Sequence, residues 1–252
     1  MPRGGPRLPA TRRIHLAGGY LDGGAQYDRV RPGYPAESVD WVLAAGAKAA
    51  ADVGAGTGLF TAELVRRGLD VTAVDPSHDM LEVLRAKLPL VTTVVGTAEA
   101  TGLPTASVQL VTIAQAWHWL DPAAATREAA RILVPGGRLA LLWNQLDVSI
   151  PWVHRLTRIM HAGDVYKHDH QPTIGEDFGL PEHLATRWTQ TLTTADIVEL
   201  AKSRSYYRRA SPVIRAKVEA NLDWYLHEHL GFTTEAAVDL PYFTHVWRAS
   251  TA

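Results

Sequence analysis

Three glycines at every second position follow a short apolar run near residue 50. Residues 51–58 read ADVGAGTG, with Gly54, Gly56 and Gly58 in alternation. Glycine lets backbone N–H groups and the start of a helix approach a bound ligand closely. Because a predicted strand precedes the loop and a predicted helix follows it, the pattern favours a cofactor-binding loop over an ordinary tight turn.

Two carboxylates accompany this loop. Asp75 ends the next apolar run, 21 positions beyond Gly54, where it could accept hydrogen bonds from both hydroxyls of a ribose. A dinucleotide site uses the same acid, but its sequence pattern ends in a glycine where this chain has Leu59. Asp52, directly before the loop, would repel a pyrophosphate and suits a ligand that carries an ammonium group. An NAD-dependent oxidoreductase stays the alternative interpretation of the loop.

The elements that must position these residues alternate in type between residues 36 and 144. Short apolar runs predict strands over residues 49–53, 70–74, 91–95, 108–114 and 138–143. Helical patterns predict a helix that opens at Pro35 and further helices over residues 58–67, 77–88 and 122–132. Such alternation is typical of a mostly parallel sheet in an α/β domain. Later segments predict cap helices at 150–166 and 211–229 and an antiparallel edge pair at 185–192 and 242–247.

Taken together, these motifs resemble those of the class I S-adenosylmethionine-dependent methyltransferases. DVGAGTG matches the first motif of that family and VDPS its second. Further matches are VGTAE at residues 95–99, AQAWHW at 114–119 and LVPGGRL at 133–139, so that the resemblance spans about residues 25–145. It implies a Rossmann-like seven-stranded sheet in the order 3-2-1-4-5-7-6 with a helical cap. It also implies S-adenosylmethionine as methyl donor and S-adenosylhomocysteine as product.

The resemblance also implies which residues contact the cofactor. Within the loop and the strand ends these are Asp52, Gly54, Ala55, Gly56, Gly58, Asp75, Pro76, Met80, Thr97, Ala98, Glu99, Ala114 and Gln115. Many relatives have an aspartate where Thr97 stands, and that aspartate receives the adenine amino group. Here Glu99 or the backbone around Ala98 would take over this contact.

The segment before the first helix, QYDRVRPGYP at residues 26–35, is similar to that of the trans-aconitate methyltransferase-like subgroup. By that resemblance Tyr27 would cover the methionine end of the cofactor, Arg31 would pair with its carboxylate, and Tyr34 would face the acceptor. The alternative is that the tyrosines only pack against the first helix. A fully buried, unpaired guanidinium is costly, which favours the binding role for Arg31.

Residues at the end of the fourth predicted strand are candidates for the transfer itself. Alternation along an extended strand would put Trp117 and Trp119 on one side and His118 on the other. A tryptophan face near a sulfonium stabilises its charge by roughly 0.5–2 kcal/mol. A histidine of ordinary pKa could accept a proton from the acceptor as a catalytic base, and a structural histidine bonded to the backbone is the alternative.

Three further candidates for the acceptor site lie at or after the end of the fifth predicted strand. Asn144 closes the fifth predicted strand and either contacts substrate or ends the strand by local hydrogen bonds. The run SRSYY at residues 203–207 is similar to a cap segment of the same subgroup and would place Arg204 or Tyr207 over the acceptor, with surface packing as the alternative. The histidines at 154, 161, 168 and 170 match no familiar zinc pattern, so we expect no metal.

Composition limits the possible partners. The chain has 252 residues, 46% of them hydrophobic, a formal net charge of −1 and no cysteine. Without a global positive field we expect neither nucleic acid nor an anionic membrane as partner, and without cysteine or a long apolar run we expect a cytoplasmic protein. Residues 1–18, with four arginines and no acid, predict a disordered basic tail.

We therefore predict a single methyltransferase domain over residues 19–252, as a monomer or homodimer. Its cofactor core would cover residues 36–144, its cap about 145–230, and its last strand about 240–248. In-line methyl transfer to a small or medium organic acceptor would rely mainly on positioning, which can supply roughly 7–11 kcal/mol. A protein that binds S-adenosylmethionine without catalysis is the second alternative.

Overall fold

The computed structural model describes residues 29–43, 45–160 and 171–251, so the predicted tail and Tyr27 lie outside the described residues. Seven strands form one sheet in the order β3-β2-β1-β4-β5-β7-β6. The strands are β1 (Ala49–Val53), β2 (Asp70–Asp75), β3 (Thr92–Val95), β4 (Val108–Ala114), β5 (Leu133–Leu146), β6 (Glu182–Thr193) and β7 (Ala237–Ser250). The first five strands pair in parallel, and β7 runs antiparallel to both β5 and β6. The predicted strand order and the mostly parallel arrangement are confirmed.

Eight α-helices lie entirely within the described residues. They are α1 (Ala36–Val42), α2 (Leu59–Arg66), α3 (His78–Lys87), α4 (Pro122–Ile132), α5 (Pro151–Ile159), α6 (Thr194–Lys202), α7 (Ser205–Arg209) and α8 (Pro212–Asp223). A 3₁₀ turn covers Trp117–Trp119, and a π-helical stretch, Trp224–His229, continues α8. No helix in the described part of the chain is both long and apolar enough to cross a membrane.

Both faces of the central strands are buried, which explains why their sequences read as continuous apolar runs. Leu110 of β4 packs with α1 and α2 in one cluster, whereas its neighbour Val111 packs with α4 in another. On β5, Leu142 and Leu141 divide between the same two clusters. This alternation fixes the register of the strands, because a shift by one residue would exchange their two faces.

Helices α5, α6 and α8 and the π-helical stretch form the cap and share an apolar cluster of their own. Val153, Leu200 and Leu222 contribute one buried side chain from each helix. The cluster continues onto the sheet through Leu146 of β5 and Tyr242 of β7. The cap therefore packs on the edge of the sheet at which the parallel strands end.

Several boundaries differ from those predicted. β5 begins at Leu133 instead of residue 138, because Leu133 pairs with Val108 before the register shifts at Gly136, whose φ is +73°. The helix predicted at 150–166 ends at Ile159, and residues 161–170 lie outside the described residues. Asn144 does not end its strand, since β5 continues to Leu146.

A buried hydroxyl links the last three strands. The Thr244 hydroxyl of β7 donates to Asn144 Oδ1 at 2.6 Å and accepts from Trp188 Nε1 of β6 at 2.8 Å. Asn144 Nδ2 in turn donates to the Gly33 carbonyl at 2.8 Å. The segment before α1 is thus attached to the sheet through one amide and one hydroxyl.

Replacing Thr244 by valine should lower the free energy of unfolding by about 1–3 kcal/mol, because a buried donor and acceptor lose their shared partner. Chemical denaturation measures this loss. Thr186→Val is the matched control. Thr186 lies opposite Thr244 in the β6–β7 pair, and among the described residues its hydroxyl makes only an exposed 3.4 Å contact with Glu37. The control should change the free energy by less than about 0.5 kcal/mol. Equal losses in the two variants would contradict a role for the network.

Candidate functional site

The glycine loop leaves β1 in a conformation that favours glycine. Gly54, Gly56 and Gly58 have φ values of +71°, +55° and +81°. The N–H groups of Gly54 and Ala55 both donate to the Val74 carbonyl, at 2.8 and 3.1 Å, so the loop is attached to the end of β2. A Cβ on Gly54 would stand 2.7 Å from the Ala116 side chain. The loop therefore requires glycine here for two reasons, its backbone angle and its closeness to the β4 end.

Asp75 joins the loop to the second strand. Its Oδ2 accepts the N–H of Gly56 at 2.9 Å and its Oδ1 accepts the N–H of Ser77 at 2.8 Å. Burial raises the pKa of Asp75, while these two hydrogen bonds oppose the increase. Each carboxylate oxygen has a second lone pair, so the group can still accept from the hydroxyls of a ligand. The structure thus brings together two residues that the sequence placed 19 positions apart.

The described residues leave the side of the loop around Gly56 open. Apart from chain neighbours, no heavy atom of the described residues lies within 4 Å of where a Cβ on Gly56 would stand. Pro76 is exposed beside Asp75, whereas Met80 is buried and its N–H donates to the Ser77 hydroxyl at 3.3 Å. An open space edged by glycine backbone and one carboxylate fits the adenosyl part of the expected cofactor.

Asp52 lies beneath the loop and is only 1% exposed. Its two carboxylate oxygens accept hydrogen bonds from the hydroxyls of Thr61 at 2.6 Å and Thr112 at 2.8 Å. Burial raises the pKa of Asp52 to about 6, more than the two hydroxyls lower it, and the charge of Asp75 adds to the increase. A direct ion pair with a ligand ammonium would have to displace one of these hydroxyls. In the structure Asp52 holds α2 and β4 against β1.

The end of the third strand forms a tight turn. The N–H groups of Thr97 and Ala100 donate to each other's carbonyl, at 3.1 and 3.2 Å. Ala98 is buried, and the Glu99 carboxylate accepts the Asp121 N–H at 3.0 Å, directly before α4. Glu99 thus connects this turn to α4, while Thr97 is exposed. Which of the three residues would receive an adenine amino group stays a prediction.

The fourth strand ends in an unusual backbone conformation. Gln115 has a φ of +61°, which costs a non-glycine residue about 1–2 kcal/mol, and its N–H donates to the Leu142 carbonyl at 2.9 Å. Ala114, the last residue of β4, packs partly buried against the cluster of α1 and α2. After Gln115 the chain forms a 3₁₀ turn, so the predicted alternation of Trp117, His118 and Trp119 is wrong. Trp117 is instead a core residue, 3% exposed.

His118 has a lowered pKa in the structure. Burial, and after it the positive charge of Arg31, lower the pKa of His118 to about 4. The imidazole is therefore neutral throughout the physiological range, and the role of His118 as a catalytic base stays a prediction. Its ring lies 4.3 Å from the ring of Trp119 between centroids. A base of this pKa accepts a proton only weakly, so His118 is better suited to orienting a ligand by hydrogen bonding than to strong general-base catalysis.

Most of the other predicted acceptor residues have structural partners. Tyr34 packs edge-on against Phe60 with ring centroids 4.9 Å apart. The Tyr207 hydroxyl donates to the Glu219 carboxylate and so ties α7 to α8. Asn144 uses both ends of its amide, as described above. Tyr34 therefore packs against α2, and contact of Tyr34 or Tyr207 with an acceptor stays a prediction.

Arg31 contacts the chain next to Arg204. The Arg31 Nη2 donates to the Ser203 carbonyl at 3.0 Å, which brings the segment before α1 to the residue that precedes Arg204. The sequence suggested both arginines separately, from a resemblance to two different segments. The motifs in the sequence did not indicate Thr61 and Thr112, which position Asp52. Neither threonine belongs to a motif that predicts a hydrogen bond to this carboxylate.

Comparisons with known proteins agree with this geometry. The sequence model of a family described as "Methyltransferase domain" matches residues 51–141. An uncharacterized methyltransferase of Mycobacterium tuberculosis is 43% identical over 227 residues, which cover 90% of this chain and 93% of that protein. An uncharacterized methyltransferase-like protein of Schizosaccharomyces pombe is 32% identical over 213 residues, covering 79% and 82%. The solved structure of a protein described as a type II methyltransferase, from Anaeromyxobacter dehalogenans, superposes with a TM-score of 0.63 at 25% identity, covering 87% of this chain and 97% of that one.

The buried carboxylate below the loop should make stability depend on pH in a defined direction. Because the pKa of Asp52 is about 6 when folded and 3.8 ordinarily, the folded state binds this proton more tightly. The bound proton on Asp52 therefore stabilises the folded state at low pH. This stabilisation, about 3 kcal/mol in the free energy of unfolding, is lost as the pH rises from about 4 through 6. Relative to the wild type, Asp52→Asn should become more stable by up to this amount between pH 4 and 7, measured by denaturation at each pH.

Asp79→Asn, on the exposed side of α3, controls for the loss of one negative charge. A difference between Asp52→Asn and wild type that stays constant across this range of pH would contradict the burial of a titrating carboxylate at residue 52.

Proposed function

The chain belongs to the class I methyltransferase family, and we propose that it transfers the methyl group of S-adenosylmethionine to a small or medium organic acceptor. The observation that carries the proposal is the hydrogen bond between the glycine loop and Asp75. The N–H of Gly56 donates to the Asp75 carboxylate beside an open space, at the carboxyl edge of the sheet. That edge is where open α/β sheets bind their ligands.

The residues of this edge fit the parts of the proposed cofactor. Asp75 would accept hydrogen bonds from the ribose hydroxyls, and the backbone of residues 54–58 would line the sugar and the amino-acid part. Ala98 and Glu99, at the end of β3, would border the adenine. When bound, the cofactor supplies a methyl group on a sulfonium, which is already a good leaving group. The chain itself would then bind, orient and exclude water.

The charges of the site support a mechanism of positioning. His118 stays neutral because its pKa is about 4, so it withdraws protons only weakly. The reaction would then depend on holding the nucleophilic atom of the acceptor in line with the methyl group, which can lower the barrier by roughly 7–11 kcal/mol. The acceptor would lie between the strand ends and the cap.

Two measurements test the proposal. Calorimetric titration should detect S-adenosylhomocysteine binding, and incubation with S-adenosylmethionine labelled in its methyl group should transfer label to at least one compound in a broad panel of organic acceptors. Tight NAD binding without S-adenosylhomocysteine binding would instead indicate an oxidoreductase. Cofactor binding without transfer to any compound in the panel would support the non-catalytic alternative.

The loop gives a sharper test of where the cofactor binds. Gly54→Ala should weaken S-adenosylhomocysteine binding at least about tenfold, because the new Cβ would stand 2.7 Å from the Ala116 side chain and displace the loop. Calorimetric titration of both proteins measures the change.

Gly46→Ala is the matched control for this test. Gly46 has a similar φ of +75°, but in the described residues a Cβ there would meet nothing within 4 Å. The control should cost about 1–2 kcal/mol of stability and leave ligand affinity unchanged. Unchanged affinity in Gly54→Ala would place the ligand elsewhere.

A further inference from the structure

We infer that a groove between α5 and α8 binds the phosphate group of a ligand, at a site separate from the glycine loop. The inference goes beyond the proposed function and does not depend on it. The phosphate group can have two sources: an organic phosphate ester in solution or the headgroup of an acidic phospholipid.

The groove lies along α5, next to α8. Its volume is about 480 Å³, within the range of roughly 300–1,000 Å³ that is usual for small-molecule sites. Five of its lining residues lie on α5, from the first residue of that helix to the last, and one lies on α8: Pro151, His154, Arg155, Arg158, Ile159 and Asn221. None of the six belongs to the glycine loop or to the ends of the parallel strands. The groove is therefore a feature of the cap alone.

Helix α5 has one apolar face and one basic face. Val153 is fully buried in the apolar cluster of the cap, whereas His154, Arg155 and Arg158 are exposed. Residues three or four positions apart are neighbours on the surface of a helix, so Arg158 lies next to both His154 and Arg155. Across the groove, Asn221 of α8 adds an amide that can donate. Four side chains with N–H donors thus line one groove.

The protein does not neutralise the two arginines of the groove. Among the residues that the structure describes, no carboxylate forms an ion pair or a hydrogen bond with Arg155 or Arg158. By contrast, Arg131 near the end of α4 is paired with Glu128 at 2.7 Å. Like charges one helical turn apart repel each other, and a bound anion would relieve that repulsion. The charge of the groove therefore favours an anionic ligand.

Arg155 is held in place by aromatic rings instead of an acid. Its guanidinium carbon lies 5.3 Å from the centre of the Trp224 ring and 5.4 Å from that of the Tyr225 ring. Tyr225 is itself fixed, because it is 1% exposed and its hydroxyl donates to the Trp152 carbonyl at 2.9 Å. An arginine that stacks on rings keeps its N–H groups available for an anion. Because the side chain is already ordered, binding costs less conformational entropy.

The two rings below Arg155 belong to an unusual stretch of backbone. Trp224 and Tyr225 are the first residues of the π-helical stretch that continues α8. π-helical turns are rare and occur frequently at functional sites. This one presents two consecutive aromatic rings to a single guanidinium. The backbone thus departs from the regular α-helix at the two residues that position Arg155.

The donors of the groove match a phosphate better than a carboxylate. A phosphate group offers three acceptor oxygens and nearly two negative charges, which suits two guanidinium groups, an imidazole and an amide. A carboxylate has two oxygens and one charge, and a single arginine can satisfy it. Pro151 and Ile159 add apolar surface, so an organic group attached to the phosphate would also find contacts.

Two variants and three kinds of probe test the inference. Arg158→Gln removes a charge whose side chain makes no ion pair or hydrogen bond with the described residues, so it should not disturb folding. Arg155→Lys keeps the charge and removes the planar set of donors. The probes are inorganic pyrophosphate, phenyl phosphate, and vesicles of phosphatidylcholine with or without phosphatidic acid. Calorimetric titration gives the affinity of the soluble probes, and cosedimentation measures binding to the vesicles.

Two results would support the inference and separate the sources. If the ligand is a phosphate ester, the wild type binds pyrophosphate or phenyl phosphate, and both variants bind it at least about tenfold more weakly. If the ligand is a lipid headgroup, the wild type sediments only with vesicles that contain phosphatidic acid, and both variants lose this binding. The inference is wrong if the wild type binds none of these probes, if the variants bind them as tightly as the wild type, or if succinate binds as tightly as pyrophosphate.

Control variants separate the groove from general charge and from the glycine loop. Arg127→Gln, on the exposed side of α4, removes one positive charge and should leave every probe affinity unchanged. Gly54→Ala should also leave phosphate binding unchanged, and a loss in this variant would place the phosphate at the glycine loop. Melting temperatures show whether each variant is folded. Phosphate binding without S-adenosylhomocysteine binding would contradict only the proposed function, and the converse would contradict only this inference.

Discussion

The buried carboxylate of Asp52 is the constraint on which the site depends. A charge in the interior is unfavourable unless hydrogen bonds satisfy it, and here the two hydroxyls come from α2 and β4, on either side of β1. The three elements are therefore fixed relative to one another directly below the glycine loop. The loop can then follow a path that favours glycine, and its N–H groups reach both the Val74 carbonyl and Asp75. Without the two hydrogen bonds to Asp52, the glycine loop above it would no longer be held in this conformation.

The same two acids define the electrostatics of this half of the sheet. Asp52 and Asp75 lie near the ends of neighbouring strands, and the charge of Asp75 raises the pKa of Asp52. A ligand that brings positive charge to this edge relieves that repulsion, whereas a pyrophosphate would add to it. This repulsion is a physical reason, independent of sequence motifs, why the edge suits a sulfonium and an ammonium group better than a dinucleotide.

The sequence was most informative where local pattern decides structure. β1, β4 and α4 have the predicted bounds, and the alternating glycines adopt the backbone that their spacing suggests. Side-chain roles were harder to predict because partners lie far away in the chain. Asn144 is held by Thr244, 100 positions later, and Tyr207 by Glu219 on the next helix. The pKa of His118 was also beyond prediction from the sequence. It is lowered by burial and by the charge of Arg31, and the residues next to His118 in the sequence indicate neither.

The strand order explains why the site has two electrostatic halves. Asp75 ends β2 and Asp52 lies in β1, on one side of β4, while Tyr242 lies in β7 on the other side, where Arg31 and Arg204 come close. A ligand that spans the edge therefore meets carboxylates at one end and guanidinium groups at the other. Such a field orients a molecule with separated charges and discourages the reverse placement by repulsion at both ends. Because the pKa of His118 is about 4, its neutral imidazole adds no charge between these two halves, and the separation of charge along the edge is preserved.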